Sequence, residues 1–134
     1  MDYLRPRLDD AALAQMSSLA LAHVGDAVYE IMVRALLACA GTQTSKNLHN
    51  RTTELVRAAA QAKAAARILP LLTEEEEAVF RRGRNAKPKS VPKSASIAEY
   101  AQATALEALF GWLYLRQQYD RVNELFETIA EGFS

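Results

Sequence analysis

The segments His23-Val24-Gly25-Asp26-Ala27-Val28-Tyr29-Glu30 and Thr104-Ala105-Leu106-Glu107-Ala108-Leu109-Phe110-Gly111 decide how this chain folds. Each sets a glycine near an acid in a run that otherwise favours helix. Asp26 directly follows Gly25, and Gly111 stands one turn beyond Glu107 on the same face. A glycine inside a helix costs about 1 kcal/mol relative to alanine. Keeping one beside an acid is understandable where two helices cross closely, and Ala22, Ala27, Ala103 and Ala108 are the small neighbours such a crossing needs. The two helices are therefore expected to pack so that Asp26 and Glu107 meet.

The flanking sequence is punctuated for helices. Ser17 or Ser18 can cap a helix running to about Ala40 and closed by Gly41. Thr44 and Ser45 can cap a second, through Asn47 to about Leu69, closed by Pro70. Thr73 with Glu76 forms a capping box that opens a short helix ending near Gly83. Ser96 with Glu99 forms another, opening a helix to about Gln117, and Asp120 caps a last one that Gly132 closes. No stretch shows strand-period alternation and no internal repeat is visible. The prediction is a single all-α domain over residues 1–134.

Composition narrows the class. Half of the 134 residues are apolar and 24% are charged, which suits a folded soluble domain and excludes a disordered chain. Cys39 is the only cysteine, so no internal disulfide can form, and its apolar surroundings predict a small core hydrophobe in a reducing cytosol. The start, Met1-Asp2-Tyr3-Leu4-Arg5-Pro6, has no signal-peptide pattern. The most apolar stretch, residues 19–40, is interrupted by His23, Asp26, Glu30 and Arg34 and does not read as a membrane span. A cytoplasmic protein is expected.

Formal charge is zero, from 16 basic and 16 acidic residues, but its distribution is uneven. Residues 81–93 hold six cations and no anion. Set among Gly83, Pro88 and Pro92, they read as a loop or broken turn that contacts nucleic-acid phosphates. The candidate contacts are Arg81, Arg82, Arg84, Asn85, Lys87 and Lys89, the alternative being a loop merely solvated by its charge. Few aromatics interleave there, which fits a duplex backbone better than stacked single-stranded bases.

If Asp26 and Glu107 meet, their charges repel and are costly to desolvate. Magnesium resolves that conflict with one or two carboxylates, provided that substrate phosphates complete its shell, and it activates water for phosphodiester displacement. The plainer readings are a satisfied core acid for Asp26 and a lysine partner for Glu107. Glu30 precedes Arg34 by four residues and reads as a surface ion pair, with an extra site carboxylate as the alternative. Glu74 to Glu77 point around a helix axis and cannot converge on one metal, so the helix dipole explains them more simply. His23 and His49 are the only histidines and neither is followed by aspartate, which gives little support to a histidine–aspartate metallohydrolase. His49 reads as solvated, or as an RNA contact.

These segments together resemble the ribonuclease III catalytic domain, and more closely its small branch, Mini-ribonuclease III. Residues 19–30 look like that branch's form of the family signature. Glu74 to Val79 followed by Arg82-Gly83-Arg84-Asn85-Ala86-Lys87 is similar to its acidic helix and basic loop, and residues 105–115 to its second metal-binding segment. The resemblance implies an all-helical homodimer that cleaves double-stranded RNA with magnesium and leaves 5′-phosphates. Asp26 and Glu107 match the metal-binding acids. It also implies that the separate double-stranded RNA-binding domain of larger relatives is lacking, and a role in maturing large-subunit (23S) ribosomal RNA precursor. Larger relatives carry glutamates where this chain has Leu19 and Ala22, and an aspartate where it has Thr104. Fewer carboxylates are left to hold a second magnesium. The region of Trp112 and Tyr114 and the apolar faces near Asp26 are candidate dimer surfaces, with core burial as the alternative for each aromatic. The rival functions are a dimeric RNA-binding module of the same fold that no longer cuts and a helical scaffold that binds no nucleic acid, which leaves the basic segment unexplained.

Overall fold

Among the described residues there are seven α-helices: α1 (Asp10–Gln15), α2 (Ser18–Cys39), α3 (Ser45–Val56), α4 (Ala58–Ile68), α5 (Glu74–Asn85), α6 (Ile97–Leu115) and α7 (Tyr119–Ala130). A 3₁₀ turn at Leu69–Leu71 joins α4 to α5. The computed structural model describes residues 1–41, 44–87 and 95–133, and among them there is no strand, so the all-α expectation holds. No helix among the described residues is long and apolar enough to cross a membrane.

Most of the punctuation acts as the sequence predicts. The Ser17 hydroxyl accepts from the Ala20 N–H at 3.1 Å, and α2 stops before Gly41, whose φ of +145° suits glycine. Thr44 caps α3 by accepting from Asn47. Both capping boxes, Thr73 with Glu76 and Ser96 with Glu99, are formed in full.

The departures have physical causes. The single helix expected from a cap at Thr44 and Ser45 to about Leu69 is broken at Arg57, which is extended (φ −65°, ψ 157°). Thr52 and Leu55 are buried in α3, and a straight helix would carry that face on through 59, 62 and 66. The buried residues of α4 are instead Gln61, Ala64, Ala65 and Ile68. The stripe slips phase, and the break lets α3 lie on α2 while α4 lies on α6. Helix α5 does not end at Gly83 but runs to Asn85, so Arg81, Arg82, Arg84 and Asn85 are helical rather than part of a loop. Helix α6 stops at Leu115, and Gln117 turns the chain with φ +59°. Helix α7 starts at Tyr119, so Asp120 is not its cap but lies in its first turn, where a negative charge favours the helix dipole. Helix α1, capped by Asp9, has no counterpart in the sequence reading. Cys39 is exposed and not a core residue, because only Val33 and Leu37 of the last two turns of α2 face inward.

Helix α6 is the centre of the fold and is buried on nearly every face from Ala103 to Leu113. It is flanked by α2, α4, α5 and α7. Tyr29, Phe110 and Phe126 stack edge to face where α2, α6 and α7 meet. At the start of α5, Glu76 is 5% exposed and receives two 2.8 Å bonds from the Arg121 guanidinium. Burial alone would raise the Glu76 carboxyl, but bonds from Arg121 and Thr73 outweigh it and hold the group below the usual range.

Two helix pairs cross at backbone range. A Cβ on Gly25 would lie 1.6 Å from the Glu107 carbonyl oxygen, and one on Gly111 would lie 2.0 Å from that of Leu21. Gly83 lets α5 approach α6 in the same manner, since its Cβ would lie 2.9 Å from the Ala105 Cα. Gly25→Ala is therefore expected to destabilise the protein by about 3 kcal/mol, the upper range for overpacking a core. Urea unfolding measures it, and an unchanged midpoint would show that α2 and α6 do not cross this closely.

Candidate active site

The crossing of α2 and α6 builds the site. Gly25 lies directly against the Glu107 backbone, so the next residue of α2, Asp26, stands beside the Glu107 side chain. Asp26 is exposed and Glu107 half-buried, and their carboxyl groups come within hydrogen-bonding reach of each other. The meeting of the two acids, expected from the glycine pattern, is observed. Burial and the charge of Asp26 push the Glu107 carboxyl up to about 8. A third side chain opposes them: Gln61 of α4 is 2% exposed, and its Nε2 donates to Glu107 Oε2 at 3.4 Å. Sequence reasoning missed Gln61. Its signal was a lone amide on the stripe otherwise formed by Ala64, Ala65 and Ile68.

An acid that keeps its proton to about pH 8 beside another acid is a pair lacking a positive charge. A hard divalent cation would let both ionise. Among the described residues no group of three or more His, Cys, Asp or Glu side chains is placed to hold a metal. Two carboxylates nevertheless suit magnesium, which retains several waters and takes remaining ligands from substrate. Thr104, where larger relatives carry an aspartate, donates its hydroxyl to the Tyr100 carbonyl of its own helix at 3.0 Å.

The remaining candidates divide. Glu30 lines the same surface depression as Asp26, His23 and Arg34, and pairs with Arg34 at 2.6 Å, as its spacing predicts. His49 is exposed. Of the four glutamates opening α5, Glu76 is the buried cap while Glu75 reaches Arg116 at 3.1 Å, so they serve the fold at separate places. Arg81, Arg82, Arg84 and Asn85 are exposed around the end of α5, with Lys87 exposed just beyond it. Arg81 lies 3.9 Å from Glu77, and Lys89 falls outside the described residues. This basic group is separate from the carboxylate pair, because α5 packs on Ala105 and Ala108 through Gly83 whereas Glu107 faces α2 and α4. Trp112 is 9% exposed with the Arg116 guanidinium over its ring, which matches core burial. Tyr114 is half-buried and borders an apolar surface formed by Val24, Ala27 and Ile31, the last 61% exposed.

The carboxylate pair gives stability a pH dependence of known sign. Between the ordinary glutamate value of 4.5 and about 8, the unfolded chain loses the Glu107 proton and the folded one keeps it. The contribution of this group to stability is thus full below 4.5 and falls as pH rises to about 8. Metal-free wild type should lose more stability from pH 5 to pH 8 than Glu107→Gln does, by urea unfolding. Equal losses in both proteins would remove Glu107 as the cause.

Residues 19–118 match the family model of the ribonuclease III domain. A Mini-ribonuclease 3 of Symbiobacterium thermophilum is 46% identical over 113 residues, covering 84% of this chain and 87% of that protein. Those of Thermoanaerobacter sp. (39% over 120 residues, 90% and 84% covered) and Enterococcus faecalis (45% over 113 residues, 83% and 86% covered) are similar as well. A crystal structure of a protein from Fusobacterium nucleatum superposes with a TM-score of 0.81 at 30% identity, over 88% of this chain and 94% of that one. With its helical architecture, a domain match over most of its length and relatives aligned over more than four fifths of both chains, the chain belongs to the ribonuclease III family, on its Mini-ribonuclease 3 branch, and is an endoribonuclease acting on double-stranded RNA.

Proposed function

We propose that Asp26 and Glu107 hold magnesium and that this pair is the catalytic centre for hydrolysis of duplex RNA, with products that carry 5′-phosphates. The observation that supports it most is their convergence at the α2–α6 crossing, with Glu107 pushed up to about 8. Bound magnesium would supply a Lewis acid for the scissile phosphate and lower the pKa of the attacking water. The chain's own part is to hold two acids on rigid helices, so that little reorganisation is needed when substrate arrives. Asp26 is exposed and would face the incoming phosphate, and the half-buried Glu107 would hold the cation with it. Arg81, Arg82, Arg84, Asn85, Lys87 and Lys89 are the proposed phosphate contacts that hold the duplex.

The protein is further proposed to act as a homodimer in the cytoplasm on the precursor of 23S ribosomal RNA, as its resemblance to the small branch suggests. A twofold pair would carry two sites along one duplex and double the phosphate contacts. The exposed apolar surface of Val24, Ala27 and Ile31 with Tyr114, beside Asp26, is the proposed contact.

Asp26→Asn and Glu107→Gln each remove a charge with little change of volume. Either should reduce cleavage of long duplex RNA to the level seen with wild type in chelator, while circular dichroism shows the helices intact. Turnover near wild type in saturating magnesium by either variant would falsify the assignment.

Neutralising Arg82, Arg84 and Lys87 together should weaken duplex binding and flatten its salt dependence. The log–log slope falls by roughly 0.7–0.9 for each phosphate that these cations no longer neutralise. The titration is made on the Glu107→Gln background, and an unchanged slope means that these residues are only solvated.

A further inference from the structure

Gln61 is buried at 2% exposure on the face of α4 that meets α6, among Ala64, Ala65 and Ile68. A buried carboxamide is costly unless its groups find partners, and a leucine or methionine would fill this stripe without that cost. Its Nε2 donates to the Val56 carbonyl at 2.8 Å and to Glu107 Oε2 at 3.4 Å, while its Oε1 is buried with no partner. Val56 is the last residue of α3, where extended Arg57 interrupts the helical ladder. The Val56 carbonyl can only accept, which fixes the orientation of the amide, since exchanging its O and N would set oxygen against oxygen.

The amide thus spans from the helix break to one acid of the site. Its neutrality matters. A lysine or arginine here would pair with Glu107 and compete with any cation, whereas an N–H donor orients the carboxylate and leaves its charge available. We propose that Gln61 is a positioning residue of the active site: anchored on the Val56 carbonyl, its carboxamide holds the Glu107 carboxylate turned toward Asp26, so that the two acids form a prearranged cation site. The inference rests on the metal-binding reading of Asp26 and Glu107. It also gives the break at Arg57 a role, because a continuous helix would use the Val56 carbonyl in its own ladder.

The test is Gln61→Met, which keeps length and apolar fit and removes the donor. Binding of Mn2+ to the RNA-free protein, followed by the electron paramagnetic resonance of the free ion, should weaken by about tenfold or more, the range for partners that orient metal ligands. The magnesium concentration for half-maximal cleavage should rise in parallel, with turnover at saturating magnesium within a few-fold of wild type. A residue that only fills space would lower the melting temperature and leave both metal readouts unchanged, so wild-type Mn2+ affinity in Gln61→Met overturns the proposal. Should that variant not fold, the side-chain amide resonances of Gln61 in 15N-labelled wild type decide. They are expected to shift on adding Mg2+ and to differ in Glu107→Gln, and resonances that do neither overturn it as well. Equal Mn2+ binding by wild type and Glu107→Gln would show instead that the metal-site reading has failed, and this inference with it.

Discussion

The contact on which the structure depends is the backbone approach of α2 to α6 at Gly25 and Gly111. Each glycine lies under a carbonyl of the other helix, Glu107 over Gly25 and Leu21 over Gly111, where any Cβ would collide. The pairing is reciprocal and so fixes the register of the two helices as well as their distance. A slide by one residue would drive the side chain of Val24 or Asp26 into the α6 backbone. Asp26 is carried to Glu107 by that register, and the two acids repel once both are ionised. The other helices hold α6 in place: α4 lies on one side, α5 approaches through Gly83, and α7 closes the aromatic contacts of Tyr29 and Phe110.

This arrangement was legible because glycine in a helix interior is costly and the cost calls for an explanation. The two glycine–acid pairs announced a close crossing, and the capping boxes at Thr73 and Ser96 marked where α5 and α6 begin. What was misread was conveyed by tertiary context. Gly83 looked like a helix end on local grounds, yet it is a packing glycine against Ala105 and Ala108, and so the basic run begins on a helix. The break at Arg57 has no glycine, proline or capping residue to signal it. Its trace was the phase of the buried stripe, from Thr52 and Leu55 to Gln61, Ala64, Ala65 and Ile68, which no straight helix can bury. Gln61 went unnoticed for the same reason: its meaning depends on which helix its face meets. Cys39 was assigned to the core by apolar neighbours alone, although α2 extends beyond the core at that end.

The site uses few charges, and this bears on how it would operate. Thr104 has its hydroxyl committed to Tyr100, Glu30 is paired with Arg34, and Gln61 contributes orientation without charge. Two acids therefore remain to face a cation, one exposed and one held back by burial. A hard cation bound by two carboxylates keeps most of its waters, which leaves coordination positions for a phosphate oxygen and a nucleophilic water. Under the proposed reading the RNA backbone becomes part of the metal site, and cation and duplex strengthen each other's binding. A richer set of acids would bind metal more tightly in the absence of RNA, but would also place more negative charge against the incoming phosphate.

The same economy accounts for a neutral chain that handles a polyanion. Arg82, Arg84 and Lys87 stand at the end of α5, while the acids pair with arginines elsewhere, as Glu75 does with Arg116 and Glu76 with Arg121. Local fields, not the total, govern contact with a duplex, because screening limits each charge to about 8–10 Å at physiological salt. The basic end of α5 and the acid pair thus meet α6 on different faces, α5 through Gly83 on Ala105 and Ala108, and α2 through Gly25 on Glu107. Under the proposed reading, the first face grips phosphates without reading bases and the second takes up a cation. Helix α6 carries both contacts, and Gly25, Gly83 and Gly111 set how closely α2 and α5 approach it.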